Sequence, residues 1–169
     1  TAGHAAPALF GAIGEVAVPQ LAAYNTQGLS NTVWAYATAG HAAPQLFDAV
    51  AVAAVPRLSD FDTQGLSNTV WAYATAGHAA PALFDAVAAQ VIPRVHQFNA
   101  QELANTAWAF ATAGHPAPAL FDAIAGAARP NVGEFNAMEL ASLAWGFATA
   151  GHASPALFDS IAAAAAPKL

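Results

Sequence analysis

Asn31-Thr32-Val33-Trp34-Ala35-Tyr36-Ala37-Thr38-Ala39-Gly40-His41-Ala42-Ala43-Pro44 is repeated without change at Asn68 to Pro81, and with changes at Asn105 to Pro118 and Ser142 to Pro155. Trp34, Trp71, Trp108 and Trp145 are 37 residues apart each time, as are Gly3, Gly40, Gly77, Gly114 and Gly151. A fixed period of this length is the mark of a repeat array. Working outward, residues 25–61, 62–98, 99–135 and 136–169 are successive units, preceded by a partial unit over about 1–24. Each unit reads as two helices, A and B. A lone pair cannot hide its apolar face, so the units are expected to stack into an all-α, right-handed α-solenoid of about four and a half helix-turn-helix repeats of 37 residues. Residues 1–169 then form one array, expected to be a fragment of a longer one.

The spacing places helix A of the first full unit from about Thr26 to Ala39. Asn99 with Glu102, and Asn136 with Glu139, have capping-box spacing, in which the amide oxygen accepts from a free backbone N–H and the carboxylate reaches back. Tyr24, Phe61, Phe98 and Phe135 stand five residues before Leu29, Leu66, Leu103 and Leu140, which is hydrophobic-staple spacing. The glycine at 40, 77, 114 and 151 is where a left-handed residue ends helix A. Proline at 44, 81, 118 and 155 suits the first position of helix B. Pro56, Pro93, Pro130 and Pro167 end or kink helix B. The apolar spacing runs on to Leu58 and Phe61, leaving open whether a kinked helix or a second short turn follows. Thr1-Ala2-Gly3 reads as the tail of an earlier helix A, and Ala162 to Ala166 offer no polar cap for an exposed end.

Composition removes several function classes. Charged residues are 8% of the chain and the net charge is −6, which argues against a non-specific clamp on phosphates. The chain has 0 cysteines, hence neither a disulfide framework nor a thiolate metal site. Pro, Asp, Asn and Gln interrupt every apolar run before the ~18 residues that a membrane span needs. Catalysis finds no motif. Most acids recur with the period, Asp48, Asp85, Asp122 and Asp159 in one row and Glu102 and Glu139 in another, whereas an active site normally breaks symmetry. No cofactor and no small-molecule substrate is expected.

On the helix A wheel Leu29, Val33, Tyr36 and Ala37 fall on one side, and Gln27, Asn31, Trp34 and Thr38 on the other. The period turns the second stripe into rows: Gln27, Gln64 and Gln101 (Met138 follows), Asn31, Asn68 and Asn105 (Ser142 follows), and the four tryptophans. Two readings of the asparagines stay open. They read bases, one per unit, as amides in helical repeats can, or they form an internal ladder that satisfies neighbouring groups. The tryptophans carry the same two readings: their rings stack on bases, or, as expected for large aromatics, they fill the seam between units with their N–H groups partnered. His4, His41, His78, His115 and His152 share one register. Neighbouring helices lie roughly 8–10 Å apart, too far for equivalent rings to share an ion, so a structural role is expected and no metal site. Arg57, Arg94 and Lys168 form a sparse basic row that either tracks a phosphate backbone or stands solvated.

Phe98-Asn99-Ala100-Gln101-Glu102-Leu103-Ala104-Asn105-Thr106-Ala107-Trp108-Ala109-Phe110-Ala111-Thr112-Ala113-Gly114 resembles the repeat of the octotricopeptide-repeat proteins and of related FAST-kinase-like helical repeats. The resemblance implies an organellar RNA-binding α-solenoid of chloroplast or mitochondrion, acting in RNA stability, processing or translation. It implies single-stranded RNA as partner, with Gln27, Asn31, Gln64, Asn68, Gln101 and Asn105 as readers and Arg57, Arg94 and Lys168 on phosphates. The alternative is an acidic protein–protein scaffold, its partner on the concave face or over an uncapped end.

Overall fold

A computed structural model describes residues 7–165. The helices are α1 (Pro7–Ala17), α2 (Thr26–Thr38), α3 (Pro44–Ala54), α4 (Thr63–Ala76), α5 (Pro81–Val91), α6 (Ala100–Thr112), α7 (Pro118–Ala128), α8 (Ala137–Thr149) and α9 (Pro155–Ala165). No strand occurs among the described residues, so the fold is all-α. None of the described helices is long and apolar enough to cross a membrane.

Local chemistry sets the helix limits where the spacing put them. Asn99 and Asn136 accept from the backbone N–H of Glu102 and Glu139 at 2.9 Å, and each glutamate accepts in return from its asparagine's backbone N–H at 3.0 and 2.8 Å. Asn25 and Asp62 make the first half of this motif, accepting from Gly28 and Gly65 at 2.7 Å. Helix A stops at a glycine whose φ is 62–64° in all four units. The His41 N–H then donates back to the Tyr36 carbonyl and the Gly40 N–H to that of Ala37, closing both free carbonyls.

The proline question is resolved in favour of a second turn. After Ala54, Val91 and Ala128 the chain tightens into 3₁₀ segments, Val55–Asp60, Ile92–Gln97 and Arg129–Glu134, as it does over Val18–Ala23. Pro56 and its equivalents lack the N–H that an α-helix would need. The tighter coil still carries Leu58 and Phe61 into the core, where both are 2% exposed.

Packing follows the period. Helix α2 lies on α4, α4 on α6, and α6 on α8, while α3, α5, α7 and α9 each contact the 3₁₀ segment of the unit before. Leu29, Val33, Tyr36 and Ala37 are all buried, as are their equivalents Leu66, Val70, Tyr73 and Ala74. The buried side chains form one continuous cluster from Ala17 to Ile161. Burial of a large apolar side chain is worth roughly 1.5–3 kcal/mol, so each unit gains stability from the neighbours that cover it.

Candidate nucleic-acid interface

The stripe opposite the core is where the candidate readers lie. Gln27, Gln64 and Gln101 are exposed, Asn31 is exposed, and Asn68 and Asn105 are half-buried. Among the described residues none of these six side-chain amides makes a hydrogen bond within the chain. Among the described residues no buried side-chain nitrogen or oxygen is left without a partner, so the free amides of Asn68 and Asn105 reach solvent. An internal asparagine ladder is therefore absent here. The hydroxyls beside them behave otherwise: Thr32, Thr69 and Thr106 each donate to a carbonyl four residues back at 2.7 Å, and Ser67 donates across units to the Glu102 carbonyl at 3.2 Å.

The tryptophans meet the expectation only in part: Trp71 and Trp108 pack against the core, whereas the outer two are open. Trp34 is 44% and Trp145 46% exposed, and Trp71 and Trp108 are half-buried. Apolar residues at the neighbouring register, Val33 and Tyr36, already fill the space between helices. The indoles are left at its rim, on the same stripe as the amides.

The arginines are engaged elsewhere. Arg57 donates to the carbonyls of Ala53 at 2.9 Å, Tyr24 at 2.8 Å and Leu21 at 3.5 Å. Arg94 repeats this on Gln90 at 3.0 Å, Phe61 at 3.0 Å and Leu58 at 3.4 Å. At the same register Gln20 and Asn131 donate to Val16 and Ala127 at 3.1 and 3.4 Å. In each case a side-chain donor from the turn binds the carbonyl four residues back, and the two arginines also reach carbonyls of the preceding unit. Arg57 and Arg94, which the resemblance sets on phosphates, tie helix ends together across units. Neither lies on the amide stripe. Lys168 falls outside the described residues, as do His4 and Pro167.

The histidines hold the links. Nε2 of His78, His115 and His152 meets Oδ1 of Asp48, Asp85 and Asp122 at 2.8, 2.8 and 2.9 Å. Each ring also lies over a phenylalanine of the preceding helix B, with centroids 5.4 Å apart for Phe47 and His78 and 5.5 Å for Phe84 and His115. Among the described residues no group of three His, Asp or Glu side chains could hold a metal ion. The aspartate partners were not expected from sequence, although a His–Asp offset of 30 residues in three successive units was there to be found.

These features define a class: an all-helical protein of repeated units presenting rows of unpartnered side-chain amides along one face. The profile of one family, described as RESC6, RNA-editing substrate-binding complex 6 protein, matches residues 3–150, and the chain belongs to that family. No curated protein matches the chain.

Proposed function

We propose that this protein is a non-catalytic helical-repeat RNA-binding protein whose units pile into a right-handed α-solenoid, with α2, α4 and α6 turning their amide stripe toward single-stranded RNA. Support for the solenoid comes from the serial packing of α2, α4, α6 and α8. Support for RNA comes from the family description, which names an RNA-editing substrate-binding complex. The observation that carries the reading is the set of free amides on Asn31, Asn68 and Asn105, flanked by Gln27, Gln64 and Gln101. A side-chain amide offers a donor and an acceptor side by side, the pairing that base edges require. Because Thr26 to Pro44 and Thr63 to Pro81 are identical, the units present the same groups and suit a run of like bases. An organelle, mitochondrion or chloroplast, is the compartment that the octotricopeptide-like repeat suggests, with a role in RNA stability, processing or translation.

Anisotropy titration of labelled single-stranded homopolymers tests the reading. Binding that weakens when Asn68 and Asn105 are both changed to Ala supports it; no binding of any RNA at any salt overturns it.

A protein scaffold is the second reading. An outer groove of about 770 Å³, lined by Val18, Pro19, Ala49, Val52 and Pro56, offers an apolar surface away from the amide stripe. Co-purification of a partner that is lost on Val52→Asp, in the absence of RNA affinity, would favour it.

A further inference from the structure

Four tryptophans occupy one register of α2, α4, α6 and α8. The ring centroids of Trp71 and Trp108 are 6.4 Å apart with planes inclined 34°, and those of Trp108 and Trp145 are 6.2 Å apart with planes inclined 32°. Trp34 and Trp145 are 44% and 46% exposed. A tryptophan serving only the core would be covered and would have its N–H bonded. Here, among the described residues, no indole N–H has a hydrogen-bond partner. Three residues before each of Trp34, Trp71 and Trp108 stands a free asparagine. The arginines of the described chain, Arg57, Arg94 and Arg129, all lie in the 3₁₀ segments, so this stripe holds no cation.

We propose that the tryptophan row is a stacking ledge for the bases of single-stranded RNA, gripping bases rather than phosphates. The proposal rests on the RNA-binding reading above and specifies its ligand. Aromatic side chains hold unpaired bases because every base has a π face. The rings of Trp71, Trp108 and Trp145 stand at nearly twice the ~3.4 Å step of a stacked strand, so bases lying on neighbouring rings of these three must be unstacked. A duplex does not allow that; a single strand does. With the cations off the stripe, few counterions are released, and affinity depends only weakly on salt. Each phosphate contact would otherwise steepen the log–log slope by about 0.7 for a single strand.

The test uses the full chain and fluorescently labelled single-stranded and duplex RNA of the same sequence. Expected results are quenching of tryptophan emission by single strands but not duplexes, a log K against log salt slope shallower than about −1, and a loss of roughly tenfold or more in affinity for Trp34→Leu and for Trp145→Leu. Both variants alter rim positions, and circular dichroism checks that they fold. Trp71→Phe keeps a ring and should bind within a few-fold of the parent. If single strands bind and Asn68→Ala weakens them, while Trp34→Leu and Trp145→Leu bind as the parent does, the ledge is wrong and the amide reading survives. A slope of several units, or equal binding of duplexes, also overturns the ledge. If no RNA binds at all, both readings fall.

Discussion

Arg94 donates from Nη1 to the carbonyl of Phe61, 33 residues earlier, at 3.0 Å, and from Nε to that of Gln90, also at 3.0 Å. One guanidinium thus fastens the end of its own helix to the end of the preceding 3₁₀ segment. Arg57 does the same for Tyr24 and Ala53. Removing the donors leaves partly buried carbonyls unpaired. Arg94→Met is therefore expected to cost about 1–3 kcal/mol, read as a lower urea midpoint at unchanged m-value. Arg94→Lys should recover little, because an ammonium cannot span carbonyls set apart along a planar fork. The slope of RNA affinity against salt should be the same in the variant and the parent.

Gly146 stands against the backbone of α6. A Cβ placed there would come within 2.9 Å of the Ala107 carbonyl carbon and 3.0 Å of its oxygen. The equivalent positions hold alanine, at 72 and 109, each fully buried. Between α6 and α8 the helices come too close for that methyl group. Gly146→Ala is expected to destabilise by about 1–2 kcal/mol. The clash costs about 1–3 kcal/mol, and the better helix propensity of alanine offsets up to about 1 kcal/mol of that. Thermal melting of the variant checks this; a raised melting temperature would mean that α8 can shift without loss.

The repeat length, both helices of each unit, the asparagine caps, the left-handed glycine and the buried stripe were legible because each rests on local spacing that recurs four times. Leu29, Val33, Tyr36 and Ala37 repeat at helical intervals, and nothing in the tertiary structure competes with that pattern. The rows on the other face were legible as rows but not as exposed or buried. Trp34 shows why. Tryptophan is ordinarily covered, and only the packing of Val33 and Tyr36 against the next helix decides that the indole is left at the rim. The contacts of Arg57 and Arg94 were hidden for a related reason. Beside a carbonyl of its own helix each binds one a unit back, which becomes a partner only once the chain after Pro56 and Pro93 is known to coil as 3₁₀.

The His115–Asp85 pair separates two contributions that the sequence merges. The contact is 2.8 Å, but the aspartate side chain is 73% exposed while the histidine is 15% exposed. An ion pair so open to water contributes little, with exposed pairs typically near 0–1 kcal/mol. The ring is different: its centroid lies 5.5 Å from that of Phe84 and 5.7 Å from that of Phe110. Asp85→Asn should change stability by less than about 0.5 kcal/mol, whereas His115→Ala should cost about 1–2 kcal/mol through lost aromatic packing. Equal losses in the two variants, measured by denaturant titration, would assign the stability to the pair instead.

The Tyr73 hydroxyl donates to the Phe47 carbonyl at 2.6 Å from a fully buried position. Burial pushes its pKa well above the usual value of 10.0, and the nearby Asp48 charge adds to the shift. Tyr36 is shifted the same way, first by burial and then by Tyr24. The sign follows from which state releases the proton. Below pH ~10 both states keep the phenol neutral and the contribution to stability is intact. As pH rises past that value the unfolded chain ionises while folded Tyr73 cannot, so stability falls with rising alkalinity. Phe110 and Phe147 take the same place in later units and meet Phe84 and Phe121 edge-on at the same 5.0 Å, so a phenyl ring fits. The Phe47 carbonyl also lies inside α3, where the helix supplies a donor of its own. Tyr73→Phe is accordingly expected to lose about 0.5–1 kcal/mol at pH 7 and to melt with a visibly flatter decline between pH 9 and 11 than the parent. An alkaline decline equally steep in both proteins would show that Tyr73 ionises without unfolding.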